Sequence, residues 1–351
     1  MSIGEADLRA KLNEEVEHLE NVIKEKDHEL ESYRKEHGKL ANFFRQLDAA
    51  IRPLKPLPLE YRPKKGALVS HPCAAVMQTT DGHHGAIQAA DEIEGFGEFS
   101  PEISKRRQLG YAKSVVEWVD LHRHTYTINH LHDLVTGDLI SGDIHDDLRI
   151  TNAWPVPVQA IRAGELLAQQ ISLVAPHFEQ VYVEFVVADN HSRLTVKPQS
   201  KEEGMNSMNY IVGHHAKALL RDHKNVEFNI YPMHEKVVHV LNRQYLICHG
   251  HDVTGWMGMP WYGIERKVAR ESLARLQIIM EDLNRSKEIG FHKYIFGHWH
   301  VPIDLPLYAA SGSVSGTDAY DHKQGRHSKP SQSAWMVHPK YGEFDRTNFQ
   351  L

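Results

Sequence analysis

Two cysteines, Cys73 and Cys248, are all that 351 residues contain. So few thiols exclude a disulfide scaffold and point to a reducing compartment. No run of 18 or more apolar residues occurs, so no membrane-spanning helix is expected. The first twenty residues carry Glu5, Asp7, Arg9, Lys11, Glu14, Glu15, Glu17 and Glu20, where a secretory leader needs an apolar stretch. Without Cys-x-x-Cys there is no zinc ribbon. No glycine-rich loop ends in Gly-Lys-Ser/Thr, which disfavours a P-loop nucleotide hydrolase. No Gly-x-Ser-x-Gly elbow appears, which disfavours a serine hydrolase. A basic excess is missing as well. The net charge is −6, so the chain has no global attraction to nucleic acid, although local basic patches stay open. The expected location is the cytoplasm.

Histidine is abundant instead, at 26 residues. It is the commonest metal ligand and a physiological acid–base group, so the excess directs attention to metal chemistry. The remaining composition, 41% apolar and 25% charged, is that of an ordinary globular protein.

Three regions differ in pattern. Residues 1–50 lack proline and repeat apolar side chains at Leu12, Val16, Leu19, Ile23, Leu30, Tyr33 and Leu40. Four-and-three spacing among mostly charged positions predicts a long helix with a coiled-coil seam, and hence a homo-oligomer formed through residues 1–50. Lying along its own catalytic domain is the alternative fate for this helix. Residues 51–66 hold four prolines and a short basic run, and read as an extended linker. From residue 67 to 351, strand-like and helix-like segments alternate. Strands are expected at 67–80, 127–135, 181–188, 225–231, 236–248, 292–296, 305–311 and 332–338. Helices are expected at 104–122, 157–175, 207–222 and 264–288. Such alternation implies an α/β sheet with right-handed crossovers.

Five apolar runs stop at small groups of metal-type ligands. AAVMQTTDGHHG ends in Asp81 and His83, LHDLVTGD in Gly137-Asp138, and VEFVVADNH in Asn190-His191. YLICHGH ends in His249 and His251, and YIFGHWH in His298 and His300. Carboxyl ends of strands form the ligand crevice of an open α/β sheet, so five groups at five strand ends converge. Mixed Asp, Asn and His donors suit Mn²⁺, Fe or Zn²⁺ better than a thiolate site does. The other histidines, such as His122, His124, His130, His132, His214, His215 and His292, read as ordinary hydrogen-bonded residues.

The ordered set Asp-x-His, Gly-Asp, Asn-His, His-Gly and Gly-His-x-His resembles the calcineurin-like metallophosphoesterase superfamily over residues 67–351. GDLISGDIHDDL, ADNHSRLT, GWMGMPWYGIER and ASGSVSGTDAY resemble its bacteriophage members, which implies a bacterial host cytoplasm. The resemblance implies two packed mixed β-sheets flanked by helices. It also implies two divalent cations about 3.5–4 Å apart, Mn²⁺ first, with Fe, Zn²⁺ or Mg²⁺ as alternatives. Asp81, His83 and His300 would hold one cation, and Asn190, His249 and His298 the other. Asp138 would bridge both. His191 would stabilise charge or protonate the leaving group, while a bridging hydroxide attacks phosphorus. Arg193 and His251 are the candidate substrate contacts. The aromatic and basic stretch of Trp256, Trp261, Tyr262, Arg266, Lys267 and Arg270 offers itself to nucleic acid.

The sequence departs from that pattern at the third motif, where Asp189 replaces glycine and Ser192 replaces an acid. The usual orienting partner of His191 is then lost, and Asp189 or Asp252 is the expected substitute. The expected activity is a phosphodiesterase or nuclease acting on DNA or RNA. A phosphomonoesterase for nucleotides or phosphoproteins and a non-catalytic metal-binding interaction module are the alternatives.

Overall fold

A computed structural model describes residues 51–60, 71–144, 146–255 and 258–351, with scattered positions between His18 and Ala50. The chain divides into two units, Met1–Arg52 and Pro53–Leu351. In the first, every described position from His18 onward to Ala50 is helical and exposed. Ile23, an expected seam residue, is 60% exposed. Leu12, Val16, Leu19, Leu30, Tyr33 and Leu40 lie outside the described residues, as do residues 61–70 of the linker and Trp256.

The second unit opens with an extended segment. Pro53, Pro56 and Pro58 withhold three backbone donors, so no ladder can form there. Two hydrogen bonds fasten the segment down: Leu54 N–H donates to Leu219 O at 2.8 Å, and Glu60 N–H to Pro176 O at 2.9 Å. As far as Glu60 this stretch is a strap on its own unit.

The elements then alternate as the composition of each run requires. Strand β1 (His71–Thr79) leads to helix α1 (Pro101–His122), β2 (Tyr126–Val135), α2 (Asp146–Thr151), α3 (Val156–Val174) and β3 (Gln180–Val186). Next come α4 (Met208–Leu219), β4 (Val226–Tyr231), β5 (Glu235–Val240), β6 (Arg243–Cys248), α5 (Trp261–Glu281) and α6 (Ser286–Ile289). The chain closes with β7 (Lys293–Phe296), β8 (Ile303–Asp304), β9 (Tyr308–Ala310), α7 (Ala319–Lys323), β10 (Ser331–His338) and β11 (Gly342–Gln350). Helix α1 starts where Ser100 accepts the Ile103 N–H and Pro101 fills the first turn. It buries Tyr111, Val115 and Val119.

Two mixed sheets result. One has the order β11-β10-β1-β2-β3-β4, with β1 to β4 parallel and β10 and β11 antiparallel. The other has the order β5-β6-β7-β9-β8, with β6, β7 and β9 parallel. Alternation puts Val76, Leu134, Val186, Trp335 and Val337 on the inner face of the first sheet. They pack against Val238, Val240, Tyr245, Ile247 and Ile295 of the second. The second sheet's other face covers Ile264 and Val268 of α5. The opposite face of α5 leaves Tyr262, Leu273, Leu276 and Met280 exposed. The fold is therefore the expected pair of mixed sheets flanked by helices.

Some boundaries differ from the sequence reading. The run 236–248 is a hairpin, turned at Leu241 with φ of 54°. The helix expected to reach residue 288 ends at Glu281. Asp282 turns extended there, and its carboxylate caps the short Leu283–Arg285 turn. Strand β11 was not expected. No helix among the described residues is long and apolar enough to cross a membrane.

Candidate metal centre

Asp81, Asp138, Asn190, His249 and His298 all lie just beyond the carboxyl ends of β1, β2, β3, β6 and β7. The two sheets meet there. Gln78 of β1 donates to Phe296 O of β7 at 2.8 Å, and within the second sheet Gly297 N–H donates to His249 O at 2.9 Å. Backbone strain concentrates at the same edge. Asp81, His83, Asp138, His298 and His300 all adopt positive φ, between 41° and 68°. A side chain in that region costs about 1–3 kcal/mol, so the surrounding structure must enforce it. Glycines clear the space. A Cβ on Gly137 would lie 2.9 Å from both Asp189 Cβ and His249 Nδ1, and one on Gly297 would overlap Thr80 and Asp81.

The expected ligands form two groups. Asp81, His83 and His300 converge in one, with His83 Nε2 and His300 Nε2 only 3.0 Å apart and His300 Nε2 3.6 Å from Asp81 Oδ1. Asp138, His249 and His298 converge in the other, with His249 Nε2 2.9 Å from Asp138 Oδ2 and 2.9 Å from Asn190 Oδ1. A third grouping, His83, Asp138 and His191, joins the two, sharing His83 with the first and Asp138 with the second. Asp81 and His249 are wholly buried, and Asp138 is almost so.

The outer partners decide what these atoms can hold. His249 Nδ1–H donates to Thr136 O at 2.8 Å, which turns the Nε2 lone pair toward Asp138 and Asn190. His300 Nδ1 sits 2.5 Å from Asp321 Oδ2, and Arg326 in turn donates to Asp321 Oδ1 at 2.9 Å. Three acceptor atoms meeting at His249, and two Nε2 atoms 3.0 Å apart at His83 and His300, need a proton or a cation between them. Without a cation, protons fill that role. Against the cost of burial, the Asp138 carboxylate raises His249 to about 9. Against the same cost, Asp321 raises His300 to about 10. His249 and His191 outweigh burial at Asp138 and hold it well below the usual carboxylate range. Burial, reinforced by neighbouring imidazoles, keeps His83 and His298 neutral and ready to ligate. The donor set thus fits divalent cations, which would displace those protons.

His191 is held differently from expectation. Its Nδ1 lies 2.6 Å from Ser141 O, so a backbone carbonyl orients the ring. Asp189 instead fixes the loop: it accepts from Asp138 N–H at 2.7 Å and from Ser192 N–H at 2.8 Å. Asp252 engages Lys267 at 2.8 Å and His234 at 3.5 Å. The acid expected for His191 is thus replaced by Ser141.

His83, Asp138, Asn190, His191, His298 and His300 line a cavity of about 560 Å³, together with Ile87, Phe99, Trp299 and Tyr320. Arg193 is not brought to it. Its guanidinium donates to Thr195 O at 3.0 Å and Val196 O at 3.1 Å within its own loop. His251 also faces elsewhere, toward Glu203. Lys267 is spent on Asp252 and Glu271, while Tyr262 stands exposed on α5. Thr136, Asp321 and Arg326 escaped the sequence reading, and no spacing signal marks them.

Fold and basin together define a two-sheet protein with His/Asp clusters able to hold divalent cations. No family model matches the chain, and no curated protein matches it. Solved structures that resemble it include vacuolar protein sorting 29 from Cryptosporidium parvum. That match has 12% identity and a TM-score of 0.31, over 80% of this chain and 99% of that one. Zn²⁺-complexed Vps29 from Entamoeba histolytica matches at 13% identity and a TM-score of 0.27, over 79% and 98%. An uncharacterized protein described as a predicted phosphoesterase, from Streptococcus pneumoniae, matches at 9% and 0.23, over 54% and 91%. At such scores the chemistry has to be read from the chain's own side chains.

Proposed function

We propose that this chain is a metal-dependent phosphoester hydrolase of the calcineurin-like kind, with phosphodiesters, nucleic acid among them, as substrates. One observation carries the reading. Two His/Asp groupings, Asp81/His83/His300 and Asp138/His249/His298, are linked by a third, His83/Asp138/His191, and members of all three line a single cavity. Asp81, His83 and His300 would hold one cation, and Asn190, His249 and His298 the other, with Asp138 between them. Bound divalent cations supply Lewis-acid charge to a phosphoryl group and acidify water.

The chain's residues do the rest. Thr136 and Asp321 fix the orientation of His249 and His300, so the nitrogens that face the basin are set before substrate arrives. His191, anchored through Nδ1 on Ser141, has its Nε2 3.9 Å from Asp138 Oδ2 and lines the cavity. That Nε2 is placed to hold a proton for the leaving oxygen. Ile87, Phe99 and Trp299 supply apolar lining to the cavity. Mn²⁺ is the first cation to supply, and the compartment proposed is the cytoplasm of a bacterium hosting a phage genome.

The test is hydrolysis of bis-p-nitrophenyl phosphate beside p-nitrophenyl phosphate, with Mn²⁺ and with EDTA. Expected is Mn²⁺-dependent cleavage of the diester, lost by at least about 100-fold in Asp138→Asn. Asparagine keeps the shape and tolerates the positive φ of this position, so the fold should persist. Full activity in Asp138→Asn would overturn the reading. Cleavage of the monoester alone would move it to a phosphatase. For a nucleic-acid substrate, binding must weaken steeply with salt.

A further inference from the structure

A second concentration of metal-type side chains lies outside the basin. Glu203 comes from the loop after β3, His234 from the β4–β5 turn and His251 from the loop after β6. Glu203 Oε2 is 3.0 Å from His234 Nδ1, and Oε1 is 2.7 Å from His251 Nε2. One ligand atom from each of the three lies within 4.8 Å of the others. The two imidazole rings stand 5.3 Å apart at 66°. All three side chains are partly buried, His234 the least at 28% exposure and His251 the most at 9%. We propose that Glu203, His234 and His251 form a separate mononuclear site for a divalent cation, Zn²⁺ by the character of its donors.

Two imidazoles and one carboxylate are a donor set that zinc accepts, with a fourth position left open. The contacts repeat, in miniature, those of the basin. There too a carboxylate draws imidazole nitrogens to about 3 Å. Protons hold the arrangement together in the absence of an ion. Against burial, Asp252 and Glu203 raise His234 to about 10; His234 and His251 outweigh burial at Glu203 and lower it to about 2.

The surrounding charges allow it. Asp252 approaches His234 Nε2 at 3.5 Å and adds negative charge on the far side of the ring. The Lys267 ammonium is 2.8 Å from Asp252 and 3.2 Å from Glu271, so its charge is matched before any cation arrives. With both imidazoles neutral, Glu203, Asp252, Glu271 and Lys267 sum to −2.

The site would clamp three loops at the rim of the basin. His251 packs 5.6 Å from His249, so a cation there would steady a ligand of the main centre without entering it. This role does not depend on the proposed phosphoester chemistry.

The experiment is metal content per chain, measured by elemental analysis of the full-length protein after equilibration with Zn²⁺ and removal of loosely held ion. Glu203→Gln and His234→Ala are each expected to lose one equivalent relative to the unaltered chain. Asp138→Asn combined with His249→Ala is expected to keep that equivalent while losing others. Thermal melting gives the second readout: Zn²⁺ raises the Tm of the double variant Asp138→Asn/His249→Ala, and adding Glu203→Gln removes the rise. Unchanged metal content in both Glu203→Gln and His234→Ala, each melting cooperatively, would overturn the site. One equivalent in the unaltered chain, absent from Glu203→Gln, would uphold it while removing the dinuclear reading of the basin.

Discussion

At the scale of single residues, the ligands are less informative than the atoms behind them. His300 reaches the basin through Nε2 because Asp321 holds Nδ1, and Arg326 holds Asp321. Among the described residues, the expected ligand that Asp321 bonds is His300. Asp321→Ala therefore keeps all seven ligands but frees the ring of His300. Loss of such an outer carboxylate typically costs 10- to 100-fold in metal affinity. Titration with a competing chelator is expected to show a drop of about that size at one equivalent only. An unaltered affinity would mean that the pairing does not orient the ring. The ligands themselves were legible because each follows an apolar, strand-forming run. Asp321 was not, since it sits in a short helix 21 residues beyond His300 and nothing periodic connects them. Ser141 and Thr136 were illegible for a different reason: they act through backbone carbonyls, which every residue carries.

At the scale of elements, β1, β2 and α3 meet around a buried carboxyl. Asp133 accepts from Thr79 Oγ at 2.8 Å and from Gln170 Nε2 at 3.1 Å. Burial raises its pKa to about 7, above its unfolded value of about 3.9. The folded state then binds the proton more tightly than the unfolded chain does. Stability from this group is greatest at low pH and declines as pH rises from about 4 through 7. Asp133→Asn removes the charge and keeps the shape, and its amide oxygen can still accept from Thr79 Oγ. The variant is expected to melt at higher temperature than the parent above pH 7, with the gap closing below pH 5. Parallel melting curves at all pH values would show that Asp133 is ionised in the fold. Pattern located these elements well wherever one face is apolar. It failed at β11, where Gly342–Gln350 alternates weakly and carries Glu343, Asp345 and Arg346 along the edge of the sheet. Edge strands shed apolar side chains to resist pairing with other molecules, and so resemble loops. It also merged β5 with β6, because Leu241 turns the chain without a glycine.

At the scale of the whole molecule, the two units differ in how they can be stable. Pro53–Leu351 buries a core between its sheets, whereas the described positions from His18 to Ala50 are exposed throughout. A helix with a narrow apolar stripe gains little by itself, and isolated helices are marginal in water without packing. Four-and-three spacing over the first part of residues 1–50 supplies a seam for a second copy, which is the proposed source of self-association. Removing residues 1–50 should therefore lower the mass measured by light scattering to that of a smaller assembly. The melting temperature and hydrolytic rate of the remaining unit should change by less than twofold in rate and a few degrees, since its core and basin are built from residues beyond 70. A mass that scales only with the deleted residues, with assembly intact, would place the interface elsewhere. The exposed face of α5 bearing Tyr262, Leu273, Leu276 and Met280 would then be the first surface to alter. The truncation thus separates association from chemistry: loss of hydrolysis together with assembly would mean that the basin needs the first fifty residues, and retention would confine catalysis to the two sheets.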